Sequence, residues 1–136
     1  MCIFFAKNGT TGWYPTIGSG PNEKIMKALN TPVYGLRGAN VMGIHMEGPY
    51  ISGLYLGSGT GQDLRTPDIN DFKDYPHIKR MTIAPELAGA IDFIKETDIV
   101  LTLGHTGADY ETVLEAIDAG AKSLTHTFNA MPPFQH

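Results

Sequence analysis

Ile99-Val100-Leu101-Thr102-Leu103-Gly104-His105-Thr106 is the stretch whose reading decides the fold. A near-continuous apolar run stops at a glycine, and a histidine follows at once. Runs of this kind form strands buried on both faces, the usual state of parallel strands. Downstream, Asp109-Tyr110-Glu111 opens a helix with Val113, Leu114 and Ile117 as its apolar stripe and Gly120 as its C-cap. The acidic start suits the helix dipole. Upstream, Pro85-Glu86 opens a second helical pattern, in which Leu87, Ala90, Ile91 and Ile94 recur at three- and four-residue spacing up to Lys95-Glu96. Strand and helix in alternation predict a parallel sheet covered by helices.

Further strands are expected at residues 41–46, 80–84 and 123–126, with a weaker one at 11–16 and a short helix at 21–29. Trp13 and Tyr14 read as packing residues, and the opening Met1-Cys2-Ile3-Phe4-Phe5 as the buried end of a helix or strand. Residues 51–77 break the rhythm with Gly53, Gly57, Gly59, Gly61, prolines and many polar groups. A loop of that length in a compact domain is usually functional, and it follows Glu47 closely enough to cover a substrate. A mobile surface insertion is the plainer alternative.

With 136 residues, 42% hydrophobic and 18% charged, the chain suffices for one domain spanning residues 1–136. A net charge of -4 and no basic run beyond Lys79-Arg80 argue against nucleic acid as a partner. No apolar stretch reaches the roughly 20 residues of a membrane span, and no secretory signal pattern precedes the first apolar run. The single Cys2 excludes an intramolecular disulfide and fits a reducing, cytoplasmic setting.

The chemistry is concentrated at strand ends. Gly43-Ile44-His45-Met46-Glu47-Gly48-Pro49-Tyr50 ends on a carboxylate, Leu103-Gly104-His105 on an imidazole, and Leu124-Thr125-His126 on another. Taken singly, a histidine in an apolar run is most often a hydrogen-bonded core residue. Three such groups at successive strand ends instead suggest a metal site of Glu47, His105 and His126, open for catalysis. Such groups converge only if the strand ends share one face, as they do in a parallel barrel. Zinc suits this ligand set, with Fe, Co or Mn also acceptable. An open site lowers the pKa of a bound water and polarises a carbonyl, which suits amide hydrolysis. His45 shares the strand face of Glu47 and reads first as a support for the ligands, with a barrel-interior residue as the alternative. His77 and His136 read as surface groups. Asn129, just past His126, either caps a turn or, with Ala130, meets a substrate.

These motifs occur together in a known family. Gly-Ile-His-Met-Glu-Gly-Pro-Tyr at 43–50, Ile83-Ala84-Pro85-Glu86, Gly104-His105-Thr106 and Thr125-His126-Thr127-Phe128-Asn129-Ala130-Met131 resemble, in order, the N-acetylglucosamine-6-phosphate deacetylases of the amidohydrolase superfamily. The resemblance implies an α/β chain forming part of a (β/α)8 barrel, about five of the eight strands being present. It implies hydrolysis of the acetamide of N-acetylglucosamine 6-phosphate to glucosamine 6-phosphate and acetate by metal-activated water. Glu47, His105 and His126 match the family's metal ligands, and Asn129 and Ala130 match positions that contact the sugar phosphate. In Gly59-Thr60-Gly61-Gln62, Gly61 and Gln62 match a substrate-touching triplet in which the family often has histidine. Gln62 can donate a hydrogen bond but brings no positive charge to a phosphate.

The family's His-x-His strand, its small β-sandwich and its general-base aspartate have no counterpart here, so no catalytic residue is assigned. The expectation is a central barrel piece that alone is poorly stable or self-associating and slow in turnover. The intact family enzyme is expected to be a homo-oligomer. Two alternatives remain: an amidohydrolase acting on another amide, and a fragment that binds metal or sugar phosphate without turnover.

Overall fold

The computed structural model describes residues 1–59, 61 and 63–134. Helix α1 (Cys2–Lys7) leads into strands β1 (Gly12–Trp13) and β2 (Thr16–Gly18), followed by α2 (Asn22–Leu29). Then come β3 (Asn40–Val41), β4 (Ile44–Glu47), β5 (Ile78–Ile83), α3 (Ala90–Glu96), β6 (Val100–Leu103), α4 (Tyr110–Ala119) and β7 (Ser123–Leu124). The main sheet has five strands in the order β2-β4-β5-β6-β7, every pair parallel. This is the α/β architecture of a partial barrel wall, with the C-terminal ends of all strands on one edge.

The sheet sorts its side chains by alternation. Ile44, Met46, Met81, Ile83, Leu101 and Leu103 face the helices and pack with Ile25 and Leu29 of α2, Phe93 and Ile94 of α3 and Ala116 of α4. Across the ladder, His45 aligns with Arg80, Glu47 with Thr82, and Thr82 with Thr102, so the opposite face is polar. The 99–103 run is therefore buried unequally: Leu101 and Leu103 are 2% and 1% exposed, but Thr102 faces the polar side and Val100 is 41% exposed.

Two expected strands are broken. Pro15 carries no N–H, and the 11–16 run splits around it into β1 and β2. The 41–46 run splits at Gly43, whose φ of 144° is open to glycine. An added Cβ there would lie 2.4 Å from Cγ of Lys79. The pairing gains one residue on this side between Trp13↔Val41 and Thr16↔His45, as in a bulge.

The helix expected from Pro85 starts later, at Ala90, because Gly89 with φ 79° interrupts the backbone before it. Helix α4 begins and ends where expected, with the Asp109 side chain accepting from Thr112 N at 2.9 Å. Its stripe is only partly covered. Ala116 is buried and Val113 packs on the core, while Leu114 and Ile117 are 42% and 50% exposed. Residues 51–77 contain no helix or strand among the described residues. They are tied down by Tyr50 Oη donating to Asp71 Oδ2 (2.9 Å) and by the Arg65–Asp71 ion pair (3.0 Å). Among the described residues, no helix is long and apolar enough to cross a membrane.

Two outcomes follow for stability. Ile83, fully buried at the sheet–helix interface, has no room to be replaced, and Ile83→Ala should cost about 2–5 kcal/mol in urea unfolding. The hydrogen bond from Thr112 holds the Asp109 carboxyl below the usual Asp range. Its contribution is present above the ordinary Asp pKa and is lost as pH falls through the depressed value. Asp109→Asn should therefore lower stability modestly near pH 7, where that contribution is fully present, and flatten the acid limb of the stability curve, so that wild type and variant converge at low pH.

Candidate metal centre

Because the strands run parallel, Glu47 at the end of β4, His105 two residues past β6 and His126 two residues past β7 emerge on one edge. Glu47 Oε1 lies 2.8 Å from His105 Nε2 and 3.0 Å from His126 Nε2, and the two Nε2 atoms lie 3.0 Å apart. The His105 side chain is almost fully buried, whereas those of Glu47 and His126 are 28% and 35% exposed. One side of the cluster is therefore sealed and the other open.

Both histidines hold a left-handed backbone, with φ of 50° at His105 and 28° at His126. Such geometry costs of order 1–3 kcal/mol per residue and persists only where neighbours impose it. At His105 the neighbours are close. Gly104 is packed so tightly that an added Cβ would lie 2.7 Å from Cβ of Thr125, and Ser52 N donates to His105 O at 2.9 Å. At His126, Thr125 N donates to Leu103 O (2.7 Å) and Asn129 N donates to His126 O (2.9 Å).

The ring orientations follow from what each Nδ1 meets. His105 Nδ1 faces Tyr55 O at 2.7 Å, and His126 Nδ1 faces Asn129 O at 3.1 Å. A carbonyl only accepts, so each Nδ1 carries the proton and each Nε2 of a neutral ring presents a lone pair. With both rings neutral, three acceptor atoms thus converge with no donor among them. A proton can bridge only one contact at a time, whereas a divalent cation satisfies all three. The residues present fit such an ion, and among the described residues this is the one His/Cys/Asp/Glu cluster whose ligand atoms lie within 4.8 Å of one another. Burial pushes the Glu47 carboxyl up, but hydrogen bonding and charge from His105 and His126 in their protonated forms outweigh it and leave the group below its ordinary range.

His45 does not touch Glu47. Its Nδ1 meets Thr16 Oγ1 (3.1 Å) and its Nε2 meets Thr82 Oγ1 (2.9 Å), which makes it a barrel-interior residue linking neighbouring strands. Burial lowers its pKa, only partly opposed by Glu47, and it stands as a neutral ring. Thr82 Oγ1 continues to Thr125 Oγ1 (2.9 Å), which also meets Thr102 Oγ1 (3.0 Å).

The other expected site residues are placed less evenly. Asn129 is exposed and Ala130 half-buried, and the main chain of Asn129 closes the turn around His126. An added Cβ at Gly57 would lie 3.4 Å from Cβ of Ala130 and 3.2 Å from Cε1 of His105, which puts Ala130 beside the cluster. Gly61, with φ 72°, lies against Leu56. Gln62 and His136 fall outside the described residues, and His77 is half-buried near the Tyr75 ring. A cavity of about 140 Å³ opens beside Glu47 and His105, bounded by Gly18, Ser19, Leu56 and Gly59. The carbonyls of Tyr55 and Asn129, which orient both rings, carry no mark in the sequence, since any residue brings a carbonyl.

No protein-family model matches the chain. Curated relatives do. N-acetylglucosamine-6-phosphate deacetylase of Bos taurus is 34% identical over 142 residues, which is 95% of this chain and 35% of the relative. The Bacillus subtilis (strain 168) deacetylase is 38% identical over 145 residues, 96% of this chain and 37% of the relative. Among solved structures, an aspartate-to-alanine variant of the Mycobacterium smegmatis deacetylase in complex with N-acetyl-D-glucosamine-6-phosphate superposes with a TM-score of 0.81. It is 32% identical and matches 94% of this chain and 36% of that one. The chain thus spans about a third of the length of the relatives it matches. In sequence along nearly all its length, and in the partial parallel barrel it forms, the chain belongs to the N-acetylglucosamine-6-phosphate deacetylase family.

Proposed function

We propose that residues 1–136 form the central, metal-holding part of an amidohydrolase barrel that removes acetate from N-acetylglucosamine 6-phosphate. The single observation that carries this is the convergence of Glu47 Oε1, His105 Nε2 and His126 Nε2 as three acceptors within 3.0 Å of one another. These residues would hold a divalent metal, zinc first among Zn, Fe, Co and Mn. When bound, the metal supplies Lewis-acid polarisation of the acetamide carbonyl and activates water at neutral pH.

The chain's own residues prepare the site. Glu47, held ionised, brings the negative charge that a dication needs in a partly buried place. The carbonyls of Tyr55 and Asn129 keep the lone pairs of both imidazoles pointed inward. The neutral His45 beneath adds no positive charge to compete with a cation. Asn129, Ala130 and Gly61, together with Gln62, are assigned to the sugar phosphate, in keeping with their motif positions and with the place of Ala130 beside the cluster.

One observation favours a second reading for this chain on its own. Among the described residues the cluster contains no carboxylate besides Glu47 to take a proton from a nucleophile and pass it to the leaving amine. Binding of metal and sugar phosphate with very slow turnover fits that arrangement. Thermal protection by N-acetylglucosamine 6-phosphate without acetate release would establish it over the enzymatic reading.

The direct test is metal content. The purified chain loaded with zinc and desalted should retain about one ion, and chelation should lower its Tm. Glu47→Gln should weaken zinc binding by more than the roughly 10- to 100-fold that loss of an outer hydrogen-bond partner costs. Retention of zinc by the variant at wild-type affinity would overturn the ligand assignment.

A further inference from the structure

The Ala84-Pro85-Glu86 segment after β5 has no part in the proposed chemistry, and Glu86 is an exposed residue. Its carboxylate nevertheless makes two short contacts with one loop. Thr106 Oγ1 donates to Glu86 Oε2 at 2.5 Å, and Gly107 N donates to Glu86 Oε1 at 2.7 Å. Thr106 Oγ1 in turn accepts from Ala108 N at 2.9 Å. Hydrogen bonds to an ionised carboxylate are about twice as strong as neutral ones, and two oxygens used together also set direction. The carboxylate therefore grips the two residues that directly follow His105.

Gly107 carries the grip onward. An added Cβ there would lie 2.5 Å from Cε2 of Tyr55, so the aromatic ring rests directly on this glycine. The carbonyl of the same Tyr55 accepts from His105 Nδ1 at 2.7 Å. Around it, Tyr55 N donates to Ser52 O (3.1 Å) and Ser52 N donates to His105 O (2.9 Å). A closed circuit results, running from Glu86 through Thr106 and Gly107 to the Tyr55 ring, then from the Tyr55 carbonyl to the His105 ring.

We propose that Glu86 is a positioning residue, which by clamping Thr106 and Gly107 seats Tyr55 and thereby fixes the tautomer and aim of His105. Two features support this over a mere surface contact. His105 sits in left-handed backbone that only its neighbours can enforce, and Thr106 is 6% exposed with its hydroxyl aimed at the carboxylate. The step from Glu86 to His105 needs no metal, but its consequence for metal affinity rests on the function proposed above.

The test uses the whole 136-residue chain as wild type, Glu86→Ala and Gly107→Ala. The first removes both acceptors, and the second leaves them but pushes the Tyr55 ring off its seat. In the metal-free proteins, the His105 Nδ1–H proton is followed by ¹⁵N-resolved NMR. It should be protected from exchange in wild type and lose at least about tenfold of that protection in both variants. In the cobalt-loaded proteins, both variants should show an altered visible spectrum and zinc affinity lower by about tenfold.

Far-UV circular dichroism separates misfolding from loosening. If Glu86→Ala fails to fold, Glu86→Gln, which keeps one acceptor oxygen and loses the charge, decides in its place with the same readouts. An unchanged Nδ1–H signal in a folded variant overturns the proposal whatever the metal does. Wild type that shows the protected Nδ1–H but binds neither zinc nor cobalt would instead sink the metal reading and leave the clamp standing.

Discussion

Three ligand-type atoms held face to face at hydrogen-bond distance, with no proton donor among them while both rings are neutral, are the constraint on which the rest of this structure depends. Polar groups do not choose such company, because each lone pair raises the energy of the next. The arrangement is maintained by what surrounds it: carbonyls that hold both Nδ1 protons, left-handed turns that aim both rings, and a parallel sheet that delivers all three side chains to one edge. The fold has concentrated its strain where a cation would release it.

Much of this was legible in the sequence, for physical reasons that can be named. Apolar runs ending at Glu47, Gly104 and Leu124 announce strand ends, and parallel order follows from the intervening helical periods. The strand bounds were less legible. Pro15 and Gly43 each cut an apolar run that composition alone presents as continuous, and Gly89 delays to Ala90 a helix whose periodicity begins at Leu87. In each case one residue's backbone outweighed its neighbours' side chains.

The supports of the site were hidden for a different reason. The main-chain carbonyls of Tyr55 and Asn129 act through chemistry that every residue shares, so no spacing rule finds them. The role of His45 was open between two alternatives because strand alternation gives its face but not its partners. Only the threonines on neighbouring strands, far away in sequence, draw it away from Glu47. Long-range partners of this sort are what a chain read from end to end conceals.

Those threonines have a consequence of their own. Thr16, Thr82, Thr102 and Thr125, joined through His45, put hydroxyls on the sheet face where barrels usually carry bulky aliphatic groups. Threonine and valine have nearly the same shape, so what the hydroxyls add is direction rather than bulk. A slip of β5 by one residue against β4 would turn Met81 and Ile83 toward this face and leave His45 Nε2 and the Thr82 hydroxyl without their partners. The lattice thus works as a key for strand alignment: apolar packing on the far face tolerates small offsets, and the donor–acceptor pattern on the near face admits one. In a wall whose strand ends bring Glu47, His105 and His126 to within 3.0 Å of one another, alignment is the quantity that most needs such a key.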